Sequence, residues 1–120
     1  MDNNKINENL IVKLSFDFSL MIIEYAEILE QKRKFVIANQ LLKSGTSIGA
    51  NIWEAQNAES KADFIHKMKI SAKECEETKY WLLLCKHSSQ YPNNDNLLEK
   101  IEILQKVLNK IIATSKRVVS

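Results

Sequence analysis

"LLKSGTSIGANIWEA", residues 41–55, is the stretch on which the fold turns. It holds both glycines of the chain, Gly45 and Gly49, about one helical turn apart. Each costs about 1 kcal/mol against alanine inside a helix, yet helical patterning runs through them. Small or apolar residues recur at Phe35, Ala38, Leu42, Gly45, Gly49 and Ile52, in steps of three and four. The glycines therefore share the core-facing side with Leu42 and Ile52. Without side chains they let a neighbouring helix approach closely, and that contact must offset the lost propensity. A phosphate-binding loop would need Gly-Lys-Ser/Thr after a strand, and neither is present.

The rest of the chain agrees with this helical reading. Its 120 residues fit one domain, 1–120, with a single core. With only two glycines and one proline it is poor in turns, which argues for few, long helices rather than sheets. Apolar steps of three and four mark three more helices. One follows Ile11, Leu14, Phe18, Met21, Tyr25 and Ile28. Another follows Phe64, Met68, Ser71, Cys75, Thr78 and Leu82, and the last follows Leu97, Ile101, Leu104, Leu108 and Ile111. "QKRK" separates the first two helices only weakly. "NAES" precedes the third, with Ser60 and Asp63 as a capping pair. "SSQYPNND" is the clearest break, because Pro92 and its Asn/Asp neighbours favour a turn. Short connections make successive helices antiparallel, so the expected fold is all-α, an antiparallel up-down-up-down four-helix bundle.

One bundle needs one apolar stripe per helix. The first helix has a second, Val12, Phe16, Leu20 and Ile23. The third carries Ile70, Tyr80, Trp81 and Leu84 beside its core face, and "YWLLLC" is apolar nearly all round. The second helix sets Gln40, Ser44, Ser47, Asn51 and Glu54 in a mostly small, uncharged line opposite its core. A solvated face would normally carry Lys and Glu. Together these features predict a homo-oligomer, with Val12, Phe16, Leu20, Ile23, Ser47, Asn51, Tyr80, Trp81 and Leu84 at the subunit interface.

Catalytic chemistry finds little support. Asp63 and His66 stand at the spacing of half a di-iron motif, but Leu84 stands three before His87, so no second half exists. Cys85 and His87 are too few for zinc. Cys75 lies on the core stripe, where a thiol is usually inert. Cys75 and Cys85 are separated by about 15 Å of helical rise, too far for a bridge. Free thiols suit a reducing cytoplasm. No apolar run approaches bilayer-spanning length, and the polar "MDNNKINEN" lacks the apolar stretch of a secretory signal. The reading is therefore a cytoplasmic protein that is not an enzyme, with no metal site, cofactor or membrane partner.

Net charge is only +2, but its distribution is uneven. Residues 7–31 carry Glu8, Asp17, Glu24, Glu27 and Glu30 against Lys13 alone. Residues 103–120 carry Lys106, Lys110, Lys116 and Arg117 and no acid. Lys32, Arg33 and Lys34 sit at the first turn, and Lys61, Lys67, Lys69 and Lys73 fall early in the third helix. Bundle topology brings the start of the third helix beside the end of the fourth, placing Lys61, Lys67, Lys116 and Arg117 on one rim. Repeated around an oligomer, such a rim becomes a multivalent phosphate-binding surface. The competing reading is that cations at a helix C-terminus complement the dipole.

The segment Gln40–Leu83 resembles a known family. "QLLKSGTSIGANIWEA" followed by "SKADFIHKMKISAKECEETKYWL" is similar to the 23S rRNA-intervening sequence proteins, the most specific part being Ser44 through Ile52 with Ser60, Asp63 and Phe64. The resemblance implies an up-down four-helix bundle assembling into a ring, a pentamer. It also implies similarity to the accessory bundle protein of diversity-generating retroelements, a basic pentamer that binds nucleic acid and a reverse transcriptase. Alanine is frequent in the family where Gly45 stands here, which implies a closer helix contact in this chain. The family has no established biochemical activity and supplies no catalytic residues. Two readings follow. One is an oligomer binding RNA or another nucleic acid through Arg33, Lys34, Lys43, Lys61, Lys67, Lys116 and Arg117. The other is a scaffold receiving a protein partner on Tyr80, Trp81 and the outer stripe of the first helix.

Overall fold

The structure is a computed structural model that describes residues 3–118, with side chains placed over residues 8–117. Four helices account for nearly all of it: α1 (Asn3–Gln31), α2 (Phe35–Ala55), α3 (Lys61–His87) and α4 (Asp95–Val118). No strand occurs among the described residues. The helix through "LLKSGTSIGANIWEA" is unbroken, and neither glycine has positive φ.

Local chemistry explains each boundary. At the end of α1 the Lys34 amide donates to Leu29 O (2.8 Å) and the Arg33 amide to Glu30 O (2.9 Å). That is the Schellman pattern, and Arg33 occupies its left-handed position at φ 63°. Glycine normally stands there, so its absence made this boundary the weakest in the sequence. At α3, Ser60 Oγ accepts from the Asp63 amide (3.0 Å), while Asp63 Oδ2 accepts from the Glu59 amide (3.1 Å). The capping pair forms, with the shorter aspartate reaching the residue before the cap. Before α4, the carbonyl of buried Asn94 accepts from the amides of Leu97 and Leu98, and Asn94 Nδ2 donates to Leu82 O (2.9 Å). The Tyr25 hydroxyl donates to Pro92 O (2.9 Å), tying this loop to α1.

α1 packs on α2 and α4, and α3 packs on α2 and α4. The core between them is formed by Ile11, Phe18, Ile22, Tyr25, Ala26 and Leu29 of α1, Ala38, Leu41, Ile48, Ile52 and Ala55 of α2, Met68, Cys75, Leu82 and Cys85 of α3, and Leu97, Ile101, Leu104, Leu108 and Ile111 of α4. Every expected core position of α4 is buried, as are those of α3 except half-buried Phe64.

The phases of α1 and α2 need correction. Phe35 is 56% exposed and Ile28 41% exposed, whereas Ile22, Leu29, Leu41 and Ile48 are fully enclosed. Ser44 does not lie opposite the core. It is buried against α3, where its hydroxyl shares a 2.9 Å hydrogen bond with the Thr78 hydroxyl. α2 touches α1 and α3 at once, so its buried face is centred between the two seams. Leu42 and Gly49 belong to the α1 flank rather than the middle.

The close approach is real. A Cβ on Gly45 would lie 2.8 Å from both Cγ1 and Cγ2 of Ile22. One on Gly49 would lie 3.2 Å from Ser19 Oγ and 3.3 Å from Ser15 O.

Candidate functional site

Because Gly45 and Gly49 draw α1 and α2 together, the outer side of that seam is a shallow trough rather than a ridge. Val12, Ser15, Phe16, Ser19, Leu20 and Ile23 form its α1 wall, and Thr46, Gly49, Ala50 and Trp53 its α2 wall. Its volume is about 350 Å³. The hydroxyls along it are spent on backbone. Ser15 Oγ donates to Val12 O, Ser19 Oγ to Ser15 O and Thr46 Oγ1 to Leu42 O. What remains to face solvent is apolar: Phe16 is 55% exposed, Leu20 48%, Trp53 62%.

The structure thus brings four of the expected interface residues, Val12, Phe16, Leu20 and Ile23, into one groove. It adds Trp53, which sequence reasoning missed. The signal was there, since Trp53 follows Gly49 by four residues and shares its flank. The remaining five lie elsewhere. Ser47 and Asn51 are half-buried on α2, bonded to the carbonyls of Lys43 (2.7 Å) and Ser47 (2.8 Å). Tyr80 and Leu84 are exposed on α3. Trp81 is half-buried, packs against the core, donates to Glu77 Oε2 (3.2 Å) and meets Tyr80 edge to face at 5.4 Å between centroids.

The cationic residues do not form one patch. Arg33 and Lys34 sit on the α1–α2 loop, where Lys34 Nζ stands 5.1 Å from the centre of the Tyr91 ring. Lys43 is exposed midway along α2. Lys67 is 3.8 Å from Glu54 across the α2/α3 seam, so its charge is partly matched. Lys61 opens α3, while Lys116 and Arg117 lie in the last turn of α4. There Lys116 crowds Lys69, whose ammonium is held below its ordinary pKa by that neighbouring charge.

Carboxylates act mainly as pairing groups along the α3/α4 seam. Lys79 pairs with Glu102, Lys86 with Asp95 (3.3 Å), and Gln105 Nε2 donates to Glu76 Oε1 (2.7 Å). The hydrogen bond from Lys79 holds Glu102 below the usual carboxylate range. Burial pushes the Cys75 thiol up to about 12 and raises Cys85 as well. Among the described residues no three His, Cys, Asp or Glu side chains gather as a metal cluster. No helix there is long and apolar enough to cross a membrane.

Four long helices with a glycine-mediated α1/α2 contact define a small all-helical protein. The profile of the 23S rRNA-intervening sequence protein family matches residues 7–110, and the chain belongs to that family. A solved structure from Bacteroides thetaiotaomicron, described as a protein of unknown function from the S23 ribosomal protein family, is 38% identical. The match covers 89% of this chain and 98% of that one, with a TM-score of 0.84. No curated protein matches the chain.

Proposed function

We propose that this protein is a non-enzymatic, self-associating bundle that binds nucleic acid through its basic side. The carrying observation is a division of the surface. The open seam of α1 and α2 is apolar, whereas α4, which packs against α3 on the other side, ends in the basic residues Lys116 and Arg117. The first suits burial against another copy and the second suits a polyanion.

The bundle is read as antiparallel throughout, up-down-up-down. Contact pairs support this. Lys86 meets Asp95, Lys79 meets Glu102 and Glu76 meets Gln105, so one helix descends as the next rises. Ser71 with Ile48 and Thr78 with Ser44 do the same between α2 and α3. We take the assembly to be a cytoplasmic ring, a pentamer as the family resemblance implies, closed in part by the α1/α2 groove. Light scattering should give a mass several times that of one chain. A monomer at micromolar concentration would overturn this assembly and leave the groove for a different protein, the scaffold reading. Binding to RNA or single-stranded DNA should weaken steeply as salt rises. No binding at low salt, or binding indifferent to salt, would remove the nucleic-acid reading.

A further inference from the structure

We propose that the cavity between the α1–α2 and α3–α4 loops binds a small phosphorylated ligand through Lys32 and Lys34. This goes beyond the nucleic-acid reading and does not rest on it. α4 starts just after Pro92, at the edge of the cavity, and carries Lys116 and Arg117 away from it, on the order of 30 Å along the helix.

The lining selects this place. The cavity has a volume of about 580 Å³ and is walled by Lys32, Lys34, Gln90, Tyr91 and Pro92. That volume lies within the range of about 300–1,000 Å³ usual for small-ligand sites. The hollow on the α3/α4 seam sets Lys73 beside Glu76, and the one at the first turn of α2 contains Glu30 and no cation. The α1/α2 groove has no charged group in its walls. Here two ammonium groups and a side-chain amide share one hollow with no carboxylate. A phosphate group, with three acceptor oxygens and close to two negative charges, matches two ammonium groups better than a singly charged carboxylate does.

Both walls are fixed before any ligand arrives. The amides of Lys32, Arg33 and Lys34 all donate to carbonyls of α1. Pro92 O accepts from the Tyr25 hydroxyl, and Tyr91 packs against the core. Lys34 Nζ stands 5.1 Å from the centre of the Tyr91 ring, which positions the ammonium without neutralising it. Such preorganisation lowers the ordering cost of binding. Lys34 also precedes α2, whose first turn has no side-chain cap and no acid, so the positive end of that helix adds to the field. Each loop holds a long polar residue in the left-handed region, Arg33 at φ 63° and Gln90 at φ 67°, where glycine would fit at no steric cost. Strained positions of this kind gather where ligands are clamped.

The test is a titration of the full chain with inorganic pyrophosphate, followed by amide NMR shifts. Saturable shifts should appear over residues 32–37 and at Gln90 and Tyr91. Lys32→Gln with Lys34→Gln should weaken binding by roughly tenfold or more. Gln90→Asp should weaken it with the loop cations intact, and Lys106→Gln with Lys110→Gln should leave it unchanged. Shifts spread over all exposed lysines without saturating would overturn the proposal. So would glutamate moving the same amides as strongly, or a Lys32/Lys34 variant that binds as tightly. Two competitors then identify the source of the phosphate, and either one displacing pyrophosphate supports the site. Adenosine monophosphate would mark a free nucleotide. A 5′-phosphorylated oligonucleotide acting where its 5′-hydroxyl form does not would mark a strand end. A negative result here leaves salt-dependent nucleic-acid binding to stand or fall on its own measurement.

Discussion

Gly45 shows how one residue fixes a contact. Adding a methyl group gains about 1 kcal/mol of helix propensity but drives a Cβ into both γ carbons of Ile22, a stiff β-branched side chain. Overpacking of this kind costs about 1–3 kcal/mol. Gly45→Ala should therefore lower the urea midpoint, and Ile22→Ala should cost less in that background than alone. Gly49→Ala meets a hydroxyl and a carbonyl at 3.2–3.3 Å and should change stability less. Arg33 offers the reverse case. It holds a left-handed conformation at φ 63° that glycine adopts freely, so Arg33→Gly should stabilise the fold by about 1 kcal/mol and raise the urea midpoint accordingly. Cys75 gives a pH signature. Its thiol, raised from 9.0 to about 12 by burial, stays protonated in the fold while the unfolded chain ionises. Stability from this group is complete below pH 9 and is lost as pH climbs from 9 toward 12. Urea midpoints over that range should fall, and Cys75→Ala should flatten the decline.

At the scale of the helix, caps separate what was legible from what was not. Ser60 and Asp63 could be read directly because side-chain capping is written in residue type at fixed spacing. Ser60→Ala should cost about 1 kcal/mol and Ser60→Gly only a few tenths, measured by thermal unfolding. The end of α1 was hard to read because its Schellman motif uses Arg33, whose type carries no such signal. α4 was read without error, since it has one strongly apolar face and polar residues elsewhere. α1 and α2 were misphased for a physical reason. Each touches two neighbours and also bears apolar groups on the open groove, so periodicity alone cannot say which stripe is inside. Ser44 was placed in a small, polar line opposite the core, yet its hydroxyl meets Thr78 inside the fold, a partner 34 residues away that no local pattern reveals.

For the whole molecule, the surplus of apolar surface was visible in the sequence, but its shape was not. Phe16 and Leu20 sit in a trough only because two glycines far along the chain bring α2 close, and Trp53 completes it from the opposite wall. Phe16→Asp with Leu20→Asp should reduce the particle mass in light scattering while leaving far-UV helicity unchanged, because both side chains are half-exposed in the single chain. The cations were all visible too, but the pairing of Lys67, Lys79 and Lys86 with acids on other helices was not, because it required knowing which helices are neighbours.

Three of the four seams join helices that follow each other directly, while the α1/α4 seam joins the first helix to the last. Hairpins can form early from nearby residues, whereas closing that last seam requires the two ends of the chain to find each other. The Tyr25–Pro92 bond, spanning 67 residues, is then a latch fastened late. Tyr25→Phe should hasten unfolding in stopped-flow traces and leave the refolding rate almost untouched.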